Sequence, residues 1–108
     1  MQTISIELNH IIENAKIINT LLGFDRGFLS SSLFLEYDGG GQAFGGYNLN
    51  EKYAAIWIKG ILEVTEKEDW GDIKGCFIRV DHSNNEVYRI GHIIKDIWFD
   101  PKKAFKEK

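Results

Sequence analysis

The side chains that could do chemistry are few and scattered. The three histidines, His10, His82 and His92, show no His-x-His, His-x-x-x-His or Cys-His spacing. A structural zinc site takes four ligands, and a catalytic one takes about three plus an open position. The spacing supplies neither set, so no metal and no cofactor are expected. The one cysteine, Cys76, lies beside Phe77 in a strand-like stretch. A reactive thiol needs an accessible, electropositive setting, so Cys76 is expected to be a small buried hydrophobe facing inward. Ser30, Ser31 and Ser32 lack the Gly-x-Ser-x-Gly elbow that activates a hydroxyl nucleophile. An enzyme built on His92 and an acidic partner is the remaining catalytic option, and no catalytic residue is assigned.

A denser signal is glycine. Five of the eleven glycines, Gly39, Gly40, Gly41, Gly45 and Gly46, fall within residues 39–46, interleaved with Gln42, Phe44 and Tyr47. A P-loop would need Gly-Lys-Ser/Thr after the glycines, and a dinucleotide-binding turn would lead into a helix. Neither follows. Backbone N–H groups here could still cradle a phosphate. The structural alternative is a tight turn plus a bulge, the ordinary roles of glycine in strands. The functional alternative displays Gln42, Phe44 and Tyr47 beside an accessible backbone.

These residues must be held by a small scaffold. At 108 residues the chain is expected to be a single domain, with 1–10 a lead-in and 102–108 a frayed tail. Its 44% apolar content includes three Trp, four Tyr and seven Phe, enough for a core. A domain this size buries only about two-thirds of its unfolded surface, so oligomerisation would help it. The net charge of −3 argues against a broad nucleic-acid footprint, and direct nucleic-acid binding is not expected. No secretory signal is visible at the start, and the apolar stretch at 54–62 is broken by Lys59 and Gly60. It is too short to span a bilayer. One cysteine excludes an internal disulfide and fits a reducing compartment, so a cytoplasmic protein with no membrane contact is expected.

Periodicity predicts the elements. Residues 2–8 alternate loosely. Residues 13–24 carry apolar pairs compatible with a strand or with a short helix followed by a strand. Residues 28–37 alternate as a strand, with Leu29, Leu33, Leu35 and Tyr37 on one face. The short turn at 25–27 predicts that these two segments pair as an antiparallel hairpin. Residues 42–49 would return as a third strand. Tyr53, Ile56, Trp57, Gly60, Ile61 and Val64 recur at helical spacing over 51–66, behind Asn50 as N-cap. Gly60 in that helix predicts close packing against the sheet. Trp70 and Ile73 are expected to tuck onto the body.

Residues 76–81 and 87–98 predict a second hairpin. A three-residue connection at 84–86 sets Val80 against Ile90, Ile78 against His92 and Cys76 against Ile94. It also gathers Arg79, Asp81 and Arg89 on the polar face, whereas a one-residue slip would turn the apolar set outward. The expected fold class is α+β: an antiparallel sheet of about five strands with one main helix packed on one face. Arg79 and Arg89 join Gln42, Phe44 and Tyr47 as candidate binding residues. Trp98 is expected to be partly exposed.

The order Asp38-Gly39-Gly40-Gly41-Gln42-Ala43-Phe44-Gly45-Gly46-Tyr47, then Trp70-Gly71-Asp72-Ile73-Lys74-Gly75, then Gly91-His92-Ile93-Ile94-Lys95-Asp96-Ile97-Trp98-Phe99-Asp100-Pro101, resembles a family of small uncharacterised proteins of bacteriophages and prophages. The similar stretch covers residues 11–101. The resemblance implies a phage context and supplies no activity and no catalytic residues. It implies a non-enzymatic accessory protein that binds a host protein or defence complex stoichiometrically, for example as a CRISPR antagonist. The second expectation is a small-ligand or nucleotide binder using residues 38–47, and a homo-oligomer is compatible with either.

Overall fold

A computed structural model describes residues 10–83 and 86–106. The lead-in, the loose alternation at 2–8 and most of the 84–86 connection lie outside the described residues. Within them the fold is α+β: one antiparallel six-stranded sheet in the order β3-β2-β1-β4-β5-β6, with one main helix. The strands are β1 (Ile11–Asp25), β2 (Phe28–Tyr37), β3 (Gly40–Asn48), β4 (Phe77–His82), β5 (Val87–Gly91) and β6 (Trp98–Phe99). The helices are α1 (Glu51–Thr65) and α2 (Pro101–Lys106).

Residues 13–24 resolve as strand, the middle of the 15-residue β1. Arg26 and Gly27 both take positive φ, 54° and 87°. That is the type I′ geometry whose twist matches a two-residue hairpin, and it sets Asp25 opposite Phe28. Two bulges then bend the β1–β3 part of the sheet, one at Ile17/Asn19 in β1 and one where Ser31 and Ser32 face Tyr47 and Gly45. The curl brings β3 toward the far end of the sheet: the Phe44 ring lies 6.5 Å from that of Phe99.

Helix α1 closes the concave side. Asn50 caps it by accepting the Tyr53 N–H at 2.9 Å, and Trp57, Ile61 and Val64 enter the core. A Cβ on Gly60 would lie 2.4 Å from the Phe99 ring, so the helix needs a glycine there to seat on β6. Ile73 is fully buried and Trp70 packs against the same core, as expected.

Two expectations are corrected. The strand expected over 87–98 ends at Gly91, residues 92–97 bend, and β6 returns beside β5 as the sixth strand. The bend is stabilised by His92 Nδ1, which accepts the N–H groups of Ile94 and Lys95. Val80 does face Ile90, but the β4–β5 ladder ends at Arg79 opposite Gly91, so neither the expected Ile78–His92 pair nor the Cys76–Ile94 pair forms. Residues 102–106, expected to fray, belong to α2. Asp100 accepts the Lys103 N–H, Pro101 starts the helix, and Phe105 packs at 4.7 Å from Tyr53 and 5.4 Å from Tyr47.

Candidate functional site: the outer sheet face

Because α1 occupies the concave face, the convex face of the sheet is left without a described helix. Strand alternation sorts the side chains. Ile12, Asp81 and Arg89 form one cross-strand row on the convex face; Asn14, Arg79 and Gly91 form the next, and Lys16 and Phe77 a third.

At the centre lies Trp98. A Cβ on Gly91 would stand 2.6 Å from the indole, so glycine there lets the ring lie against the backbone. The Arg79 and Arg89 guanidinium carbons sit 4.8 and 4.2 Å from the Trp98 ring, cation–π contacts on both counts. Each arginine is fixed from behind. Arg79 donates to the carbonyls of His92 (2.8 Å) and Lys95 (2.7 Å), and Arg89 donates to Asp81 at 2.8 Å. The second oxygen of Asp81 meets His10 Nδ1 at 3.0 Å, and the His10 ring stacks on Tyr88 with centroids 4.1 Å apart. Trp98 Nε1 donates to Asp96 at 3.0 Å. The result is a rigid, half-exposed set of planar groups. Flanking it, Phe77 is 61% and Ile12 53% exposed.

The five candidate residues do not converge. Arg79 and Arg89 share the convex face, as periodicity indicated. Phe44 lies on the opposite face and is buried, stacked 5.2 Å from Trp57, which corrects the expectation that it is displayed. Tyr47 is half-buried, edge-on to Trp57 and Phe105, and burial raises its phenol pKa. Gln42 donates across the concave side to the Ser83 carbonyl at 3.0 Å.

The glycine segment is explained by packing. Gly39 takes the positive φ of the β2–β3 turn. Gly45 and Gly46 take φ of 114° and 85° at the bulge, and a Cβ on Gly45 would strike Trp57 at 2.6 Å and the Ser31 carbonyl at 2.7 Å. The turn borders an open depression of about 640 Å³ whose lining includes Lys16, Glu36 and Asp38.

Each histidine faces a carboxylate. His82 Nε2 meets Glu13 at 2.6 Å and its ring stacks on Tyr37, 4.3 Å away. His92 Nε2 meets Glu66 at 2.9 Å. Its Nδ1 already accepts two backbone N–H groups, so the ring proton resides on Nε2 and neither nitrogen is open to a substrate. Glu66 also binds Lys95 at 2.6 Å; the Lys95 hydrogen bond first, and that of His92 second, holds its carboxyl below the ordinary range. Cys76 is half-buried, packed against the core at the start of β4. Among the described residues no group of three or more His, Cys, Asp or Glu is placed to hold a metal ion, and no helix is long and apolar enough to cross a membrane.

Sequence reading missed Phe77 as a site residue, although it lies two and four positions before Arg79 and Asp81 and so shares their face. It also missed His10 and Tyr88, whose stacking needs the β4–β5 bulge beside His82. A scan against protein-family models, a search of curated proteins and a search of solved structures each found no match to this chain.

Proposed function

We propose that this chain is a non-enzymatic accessory protein of phage or prophage origin that binds a host protein stoichiometrically in the host cytoplasm, antagonising a defence complex such as CRISPR. The observation carrying this reading is the convex sheet face: Trp98 held against Arg79 and Arg89, with Phe77 and Ile12 exposed beside it. Tryptophan and arginine dominate interface hot spots, and side chains already fixed by hydrogen bonds lose little entropy on binding. The phage context and the defence target rest on the sequence resemblance. A nucleotide at the glycine turn draws less support, because the depression there sets the carboxylates of Glu36 and Asp38 against one lysine. That balance repels phosphate.

The test is affinity capture from a bacterial host lysate with the wild-type chain, Phe77→Asp and Trp98→Ala. Phe77 is mostly exposed, so Phe77→Asp should melt within a few degrees of wild type, whereas Trp98→Ala also gives up packing on Gly91 and should melt lower while staying folded. A protein held in fixed ratio by the wild type should be lost by both variants. Equal recovery by all three chains would remove the convex face as the contact surface.

A further inference from the structure

The β1–β2 hairpin reaches beyond β4 and leaves one strand edge with no described strand beside it. On its β4 side, β1 pairs as far as Lys16 opposite Phe77, and Ile17 then exchanges backbone hydrogen bonds with Gly75 and Cys76. From residue 18 to residue 25 no described strand lies along that edge. In an antiparallel ladder, successive residues point their N–H and C=O groups alternately toward the two neighbouring strands. The two-residue turn makes Asp25 and Phe28 the closing hydrogen-bonded pair, so Asp25, Gly23 and Leu21 point toward β2. Thr20, Leu22 and Phe24 therefore direct their backbone groups at that edge. Leu21 agrees with this: its carbonyl accepts the Ser31 hydroxyl of β2 at 2.7 Å.

The edge is also apolar. Residues 18–24 contain no charge and no proline, the devices that normally keep edge strands apart. Leu21 is 46%, Leu22 43% and Phe24 80% exposed.

We propose that the occupant of this edge is a second copy of the chain, paired antiparallel about a two-fold axis at Leu22. A two-fold axis normal to a sheet must pass between a residue and its own counterpart, and Leu22 is the midpoint of the three outward-pointing residues. This one register pairs Leu22 with Leu22 of the second copy and Thr20 with its Phe24, and the reverse. Every outward N–H and C=O of the three residues then finds a partner. Leu21 falls opposite Gly23 of the second copy, where a Cβ would meet nothing within 4 Å, so the leucine has room. Asn19 falls opposite Asp25 of the second copy, whose carboxylate arrives at the depression lined by Lys16 and Lys74. No like charges oppose each other within the paired stretch. The axis also places both convex faces on the same side of a continuous sheet, so the dimer presents two binding surfaces in parallel. The pairing itself does not depend on what those surfaces bind.

Mass measurement by light scattering or sedimentation, across a concentration series of the full chain, tests this. The wild type should reach twice the 12.4 kDa chain mass as concentration rises. Leu22→Lys and Leu22→Glu each put like charges across the axis and should stay at the single-chain mass. Leu22 is already half-exposed, so the monomer should remain folded by circular dichroism. An equimolar mixture of the two variants should restore the doubled mass. A wild type that stays monomeric at its highest soluble concentration overturns the proposal and leaves the edge to a strand of another protein. Variants that dimerise as the wild type does overturn it equally, by placing the interface elsewhere.

Discussion

Individual glycines set the local geometry, and each can be tested against a neighbour of the same type. Gly45→Ala combines a left-handed φ with clashes against Trp57 and a backbone carbonyl, so it should cost roughly 2–4 kcal/mol and lower Tm by about 10 °C or more. Gly40→Ala, with ordinary φ and open space, should leave Tm nearly unchanged. Equal effects at both sites would remove the packing explanation of the glycine segment. Gly91→Ala should instead push Trp98 out from between the arginines, lowering binding more than stability. Phe44 shows why the segment misleads as sequence. Glycine density looked like display, whereas the room it makes is for Trp57, and the aromatic between the glycines turns inward with it. Glu66 adds a small, solvent-screened share to the acid limb of stability. Its carboxyl is held below the ordinary range, so its contribution is present above that range and is lost as pH falls from there through the lowered folded-state value. Tm followed against pH should therefore fall less steeply in acid for Glu66→Gln than for wild type; parallel limbs would contradict the pairing.

Elements met the sequence unevenly. The β1–β2 hairpin, β3, α1 and the β4–β5 register were legible because alternation, helical spacing and turn residues agree there. Strand β6 and α2 were not. Gly91 and His92 look like strand interior, yet the bend comes from an imidazole accepting two backbone N–H groups, a contact that apolar periodicity does not encode. The tail expected to fray from residue 102 instead begins a helix, with Asp100 as N-cap and Pro101 in the first turn. The seam between α1 and β6 gives a quantitative check. Gly60→Ala would gain about 1 kcal/mol of helix propensity in isolation. Against Phe99 it should instead destabilise, and Phe99→Leu in the same chain should recover part of the loss. Such coupling is read directly from a double-mutant cycle of thermal or denaturant unfolding. Strict additivity would mean that the helix does not rest on that ring.

At the scale of the whole molecule, a curled sheet closed on one side by α1 has no described helix on its other side. The sequence located three members of that surface, Arg79, Asp81 and Arg89, because a period of two assigns a face once the register is known. It could not locate the surface's centre, since Trp98 reaches it only after the 92–97 bend. With Phe44 buried and Tyr47 half-buried, the proposed contact region is the convex face, which carries Trp98, Phe77 and the two arginines. The proposed function requires binding in fixed ratio through that face. Its most direct test is a titration of the captured host protein with this chain, read out as complex mass and as loss of the host protein's activity. Both signals should saturate together at a fixed molar ratio and vanish with Phe77→Asp. Loss of activity at ratios far below saturation, or binding unchanged by that substitution, would contradict it.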